Sequence, residues 1–96
     1  MSEKKQYQEK LEVQLEEWNA ELKTMKKQAE KASTEAKAEM EKQIDELQEK
    51  LEDGQKKLNE FAESSDDAWH SLKTGMESAW DSMKSAFSNA ASKFKE

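Results

Sequence analysis

The acidic, lysine and histidine side chains of this 96-residue chain are not grouped as a reaction site requires. The single histidine, His70, lies one turn after Asp66 and Asp67, which suggests a small metal site or an acid/base pair. A half-exposed histidine, paired within the first turn of a helix, is the simpler interpretation, because further ligands, a nucleophile and a shaped pocket are missing. The chain has no cysteine, which removes thiolate chemistry and cysteine-based metal sites. We therefore predict no catalytic, cofactor-binding or metal-binding residues and a protein that is not an enzyme.

The composition is that of a helical protein with little apolar material. Leu, Ile, Val and Phe together number 12, which is fewer than a chain needs to fold alone. Proline is absent, and only Gly54 and Gly75 interrupt a sequence dominated by strong helix formers such as Ala, Glu, Lys, Gln, Leu and Met. The composition predicts an all-α protein and argues against a globular core within one chain. The alternatives are a helix that completes its core with partners and a helix that forms only on a surface.

The charges are dense and nearly balanced, with 22 acidic residues against 16 lysines and a formal net charge of −6. Arginine is absent and no strong basic excess is present, which disfavours binding to nucleic acid. The N-terminal residues lead straight into charged sequence, so we predict neither a signal peptide nor a transmembrane span. A cytoplasmic location follows by default, with peripheral attachment to a membrane as a further possibility.

An apolar stripe with the spacing of a coiled-coil seam runs through the first two thirds of the chain. From Leu11 to Ala36 its steps alternate between four and three residues, and one extra residue enters before Ile44. We interpret residues 1–62 as one long Lys/Glu-rich coiled-coil helix, in which Gly54 is a tolerated weak point. The predicted self-association seam consists of Leu11, Leu15, Trp18, Leu22, Met25, Met40, Ile44, Leu47, Leu51, Leu58 and Phe61.

A capping turn or kink is predicted at residues 63–67, where Ser64 and the residue three positions later form a capping-box-like helix start. Residues 68–96 are then a second amphipathic helix with an eleven-residue repeat, in which an Ala-Trp pair recurs. Eleven residues fill three helical turns, so the apolar stripe stays almost straight. The same spacing can be traced back into the first segment, which leaves a hairpin and a continuous rod both open. The predicted partner or lipid face is Trp69, Leu72, Met76, Trp80, Met83, Phe87 and Phe94.

This face suits either a lipid surface or another helix, because Trp and Phe lie on one side and Ser and Lys on the other. Residues 66–96 carry four lysines against five acidic residues, a net charge of −1. Such a segment has little attraction for anionic lipid. The charge therefore favours packing against another helix.

The C-terminal repeat resembles a known family. It is similar to that of small bacterial coiled-coil proteins of a stress-response family first noted in cyanobacteria. The similarity lies in the motif from Asp67 to Asp81, in Ala-Ala-Ser-Lys-Phe at 90–94, and upstream in Tyr7, Leu15, Trp18 and residues 37–44. The resemblance implies induction under stress, a helical fold and no catalytic residues to carry over. The spacing alone is also similar to late-embryogenesis-abundant and apolipoprotein-like helices.

These observations predict a non-enzymatic structural or interaction protein that is stress-associated and forms a homo-oligomer through coiled-coil helices. The alternative is an amphipathic-helix protein that works on a membrane surface or protects hydrophobic client proteins. No cofactor is predicted. The number of associated chains and their orientation stay open.

Overall fold

The computed structural model describes residues 3–94, with side chains as far as residue 93. These residues form three helices and no strand: α1 (Glu3–Glu30), α2 (Thr34–Glu63) and α3 (Trp69–Phe94). The predicted all-α fold is confirmed. The two short connections reverse the chain twice, so α2 is antiparallel to both neighbours and α3 runs parallel to α1. The result is an elongated three-helix bundle with principal extents of 51 × 20 × 18 Å.

The first segment is two helices and not the single helix that we predicted over residues 1–62. α1 ends in a tight turn, in which the amides of Lys31 and Ala32 each donate to the carbonyl three residues earlier. Ser33 then adopts an extended backbone, with φ −64° and ψ 162°, and its Oγ accepts the amide of Ala36. The reversal buries the apolar stripe of α1 against that of α2, which one straight helix in a single chain would leave in water. Tertiary burial therefore overrides helical continuity.

Residues 64–68 connect α2 to α3, close to the break predicted at 63–67. Ser64 closes α2, because its Oγ donates to the carbonyl three residues earlier at 2.6 Å. Ser65, and not Ser64 as we predicted, accepts a helix-starting amide: its Oγ lies 3.2 Å from the nitrogen of Ala68. Serine hydroxyls thus satisfy backbone groups on both sides of this connection.

A continuous apolar core runs along the bundle, although the composition argued against one. Each helix needs only a narrow stripe to contribute to it, and aromatic and methionine side chains supply volume that the few Leu, Ile and Val residues do not. Phe61 has the most buried large side chain, with 0% of its surface exposed. The buried side chains are Leu11, Leu15, Trp18, Leu22, Met25, Ala29, Ile44, Leu47, Leu51, Leu58, Phe61, Trp69, Met76, Trp80, Met83, Phe87 and Ala90.

Gly54 lies where α3 comes close to the backbone of α2. A Cβ built on this glycine would lie 2.6 Å from Cε of Met83 and 3.5 Å from Cδ2 of Leu15. A side chain here would displace Met83, so the position has a packing role beyond the tolerated weak point that the sequence predicted. Gly75, on α3, has no such neighbour, since a Cβ there would meet nothing within 4 Å.

α1 also supplies a positive charge to the C-terminal end of α2. Nζ of Lys4 donates to the carbonyl of Ala62 at 3.1 Å and to the carbonyl of Ser64. α2 has no basic residue in its own last turn. A cation at the exposed carbonyls of a helix end is stabilising by about 0.3–1 kcal/mol, so this contact helps to hold the two helices together.

Candidate functional site

The face that the sequence assigned to a partner or to lipid lies mostly inside the bundle. Of its seven residues, five are buried, and Leu72 is 40% exposed at the edge between α3 and α2. The predicted Phe94 lies outside the described side chains. We define the α3 stripe as the six described members of this face: Trp69, Leu72, Met76, Trp80, Met83 and Phe87.

Two aromatic pairs join α3 to α1. The ring centroids of Tyr7 and Trp69 lie 6.4 Å apart, and those of Trp18 and Trp80 lie 6.2 Å apart. The sequence separation is the same in both pairs, because Tyr7 to Trp18 and Trp69 to Trp80 are both steps of eleven residues. Two parallel helices with the same eleven-residue period stay in register over successive repeats. The repeat of α3 is therefore matched by a repeat of α1 in the same chain.

Further ring contacts extend this packing into two clusters. Trp18 stacks on Phe87, with centroids 5.7 Å apart and an interplanar angle of 12°. At the other end of the bundle, the ring centroid of Phe61 on α2 lies 5.5 Å from that of Tyr7 and, in an edge-to-face pair, 6.0 Å from that of Trp69. All three tryptophans of the chain are thus committed to contacts within the bundle.

The predicted self-association seam is also buried within a single chain. Ten of its eleven residues belong to the core, and the eleventh, Met40, is partly buried and packs against it. These side chains meet the other helices of their own chain. Association through the seam, as we predicted it, therefore requires the bundle to open.

A groove of about 330 Å³ separates α1 from α3 and combines aromatic with charged side chains. Burial raises the pKa of the Tyr7 phenol above its usual range, and the nearby carboxylates of Glu77 and Asp81 raise it further. Both effects favour the neutral phenol. The groove is lined by Tyr7, Lys10, Leu11, Gln14, Trp18, Glu77, Trp80, Asp81 and Lys84.

The indole N–H of Trp80 is a buried donor with no hydrogen-bond partner among the described residues. The side chain as a whole is only 5% exposed. Trp80 also lines the groove between α1 and α3.

His70, Asp66 and Asp67, the candidates for a metal site or an acid/base pair, lie on the surface. His70 is exposed and stacks on Trp69, with ring centroids 4.0 Å apart, so its neighbour is an indole ring. In the part of the chain that the structure describes, no group of three or more His, Cys, Asp or Glu residues is placed to hold a metal ion. None of the charged side chains described in residues 3–93 is buried.

The sequence pattern did not identify Tyr7 or Ala90 as contributors to the core, or Lys4 as a contact between α1 and the C-terminal end of α2. Tyr7 packs against the core and Ala90 belongs to it. The eleven-residue spacing was a usable signal for Tyr7, since Tyr7 and Trp18 fall on one such series. No local pattern identifies Lys4, because its acceptors on α2 become neighbours only after the chain reverses.

None of the described helices has a stretch that is both long and apolar enough to cross a membrane. Comparison of the chain with protein-family models, with curated proteins and with solved structures found no match. The fold and the candidate site define the chain as a three-helix bundle with one helix rich in aromatic and methionine side chains.

Proposed function

We propose that this protein is a non-enzymatic interaction protein whose bundle opens at α3 and presents the α3 stripe to apolar surfaces of damaged or partly unfolded proteins. The observation that carries the proposal is the location of the stripe, which is mostly buried on the helix whose backbone has the fewest close neighbours in the other two helices. The resemblance to stress-response coiled-coil proteins agrees with a role under conditions that unfold other proteins.

The distribution of helix contacts supports opening at α3. The backbones of α1 and α2 run close together over the greatest length, and the backbone of α3 lies mainly beside that of α2. Few backbone positions of α3 come close to α1, which α3 meets instead through large aromatic side chains. Segments with fewer tertiary contacts open at lower free energy than the rest of a fold. Release of α3 would leave the α1–α2 hairpin paired.

The composition of α3 also supports the opening of this helix before the other two. α3 contains six serines, together with Thr74, Gly75 and Asn89, whereas α1 and α2 contain no serine. Serine, threonine, asparagine and glycine are weaker helix formers than the Ala, Glu, Lys and Gln that fill the other two helices. α3 is therefore the helix that depends most on its packing.

The chemistry of the stripe favours proteins over lipid as the partner. Met76 and Met83 have flexible, polarisable side chains, which adapt to irregular apolar surfaces. Trp69, Trp80 and Phe87 add large apolar area. The segment 66–96 has a net charge of −1 and so lacks the positive charge that draws amphipathic helices to anionic membranes.

A disulfide between α2 and α3 tests the proposal. Asp53 and Ser82 line the same groove between these helices, and the chain has no cysteine of its own. In an Asp53→Cys, Ser82→Cys double variant, the oxidised form should hold α3 closed, and the reduced form should open as the native chain does. We expect the reduced form to suppress the aggregation of a heat-denatured reporter enzyme, measured by light scattering, and the oxidised form to lose that activity.

The single variant Ser82→Cys under the same oxidant is the matched control, and gel mobility confirms that the disulfide has formed. Equal suppression by the oxidised and reduced double variant would contradict opening at α3. Lipid vesicles form a second arm of the experiment: binding to vesicles without any effect on the reporter would put a membrane in place of a protein client.

A further inference from the structure

The connection between α1 and α2 reverses the chain without the residues that usually make a turn. Residues 31–33 are Lys, Ala and Ser, with neither glycine nor proline, and no described residue has a positive φ. The amides of Lys31 and Ala32 still donate back into α1. The extended ψ of Ser33, 162°, is a marked departure from helical geometry. The reversal therefore depends on very few backbone angles.

The apolar spacing of α1 continues through this connection. Met25, Ala29, Ala32 and Ala36 follow one another in steps of four, three and four residues. In the closed bundle Ala29 is buried, Ala32 is partly buried and Ala36 is exposed. A straight helix would place all four on one face, and their small side chains would let a second helix approach closely.

We propose that residues 31–33 straighten, so that α1 and α2 become one long helix, and that two copies of the chain then exchange α1. In the resulting dimer, α1 of each copy packs on α2 and α3 of the other. The contacts among the three helices are kept, but those of α1 are made between copies. The partner is a second copy because the stripe of α1 matches the α2 and α3 of this chain, with the eleven-residue step shared by Tyr7 and Trp18 on α1 and by Trp69 and Trp80 on α3.

The equilibrium between the two forms depends on the connection and on concentration. Straightening removes the contact between Ser33 Oγ and the amide of Ala36, 3.4 Å long in the closed form, and adds helical hydrogen bonds through residues 31–33. A hinge as short as this one is of the kind that permits exchange of elements between copies. This inference goes beyond the proposed function and does not depend on it, because α3 stays joined to α2 of its own chain.

Two substitutions shift the equilibrium in opposite directions. The cap at Ser33 stabilises the reversed chain by a factor of about five at each of the two hinges in a dimer. Ser33→Ala removes the cap, so we expect the dimer association constant to be roughly 25-fold higher. Thr34→Pro holds the reversed chain, because proline suits the first position of a helix and keeps the preceding residue extended. A proline inside a continuous helix would also clash with the preceding turn. Thr34→Ala is the matched control, since it removes the same side chain without the ring.

Sedimentation equilibrium at concentrations from micromolar to millimolar measures the association. We expect the native chain and Thr34→Ala to dimerise as concentration rises, Ser33→Ala to dimerise at lower concentration, and Thr34→Pro to stay a monomer with unchanged helicity. A dimer that persists in Thr34→Pro would overturn the proposal, because another surface would then be responsible. Monomers at every concentration for both the native chain and Ser33→Ala would also overturn it.

A distance measurement distinguishes exchange from simple pairing of closed bundles. Spin labels are attached to cysteines introduced at Lys10 on α1 and Lys57 on α2. In the closed form these two positions lie side by side, because α1 and α2 are in contact on either side of them, at Tyr7 with Phe61 and at Leu15 with Gly54. In one straight helix the two positions would be about 70 Å apart at 1.5 Å per residue. That exceeds the 51 Å length of the closed bundle. With doubly labelled chains diluted into unlabelled protein, the long distance in the dimer is the expected result, and the short distance alone would overturn the proposal.

Discussion

Tyr7 is the residue through which all three helices meet at one end of the bundle. Its ring contacts Phe61 of α2 and Trp69 of α3, and the ammonium of Lys73 lies 5.5 Å from its centroid. Burial is the main cause that raises its pKa, with smaller contributions from the carboxylates of Glu77 and Asp81 on α3. The pKa of the phenol therefore depends on whether α3 is packed against Tyr7.

The sign of this shift predicts a loss of stability at high pH. Because the folded pKa of Tyr7 lies above the unfolded value of 10.0, folding favours the neutral phenol. The stabilisation is fully present below the unfolded pKa and is lost as pH rises through the folded pKa. Tyr7 is the only tyrosine, so its absorbance titration is unambiguous. We expect an apparent pKa above 10.0 in the folded protein.

One variant tests a cause of the pKa shift, and a second tests its effect on stability. Glu77→Gln should lower the pKa of Tyr7 towards its usual value, because one carboxylate is removed while the burial remains. Tyr7→Phe should remove the part of the alkaline loss of unfolding free energy that comes from the phenol. An unshifted titration of Tyr7 in the folded native protein would contradict the packing of its ring between α2 and α3.

At the scale of the elements, the approach of α3 to α2 depends on Gly54. The two glycines form a natural comparison, since each lies inside a helix and only Gly54 has Met83 against its Cα. Replacing a helix-interior glycine with alanine gains about 1 kcal/mol of helix propensity where nothing is in the way. The difference between the stability gains at the two positions therefore measures the cost of crowding Met83 at residue 54.

We predict that Gly75→Ala raises the free energy of unfolding by about 1 kcal/mol, and that Gly54→Ala gains clearly less, because Met83 must move inside a packed core. Urea unfolding followed by circular dichroism measures both. Equal gains at the two positions would show that α3 does not pack closely on α2 at Gly54.

The helices themselves could be predicted from the sequence, but the first reversal could not. Helix formers, the absence of proline and the apolar spacing identified helical structure throughout, and the polar residues around Ser64 indicated the second connection. The first connection has a weaker signal, because Lys31 and Ala32 are compatible with a helix and only Ser33 is of a type that favours a helix start. The extra residue in the stripe before Ile44 was interpreted as a local relaxation of a supercoil, whereas the chain reverses a few residues before it.

For the molecule as a whole, the sequence identified most of the apolar residues that form the core. It assigned them to contacts between chains, whereas the structure places them in contacts within one chain. A count of Leu, Ile, Val and Phe suggested too little material for a core. The count underrates Trp and Met, and Trp18, Trp69 and Trp80 are all buried in the bundle. Which stripe meets which depends on the two reversals of the chain, and a pattern of spacing cannot give that.

The closed bundle hides the apolar surface that the proposed function needs. Among the described residues, the exposed large hydrophobic side chains are Val13 at 52% and Leu72 at 40%. Leu72 lies on α3, beside Gly75 and Met76 in a groove against α2. The edge of the α3 stripe is thus open to solvent while the rest is covered, which is the arrangement expected of a helix that is released on contact with a partner.

Native-state hydrogen exchange, read by mass spectrometry, tests this account most directly. It measures the free energy at which each helix opens within the folded protein. Amides of α3 should exchange through a partial opening, at a lower free energy than amides of α2 between Leu47 and Phe61, whose exchange should follow global unfolding. Identical opening free energies for α1, α2 and α3, equal to that of global unfolding, would contradict this prediction.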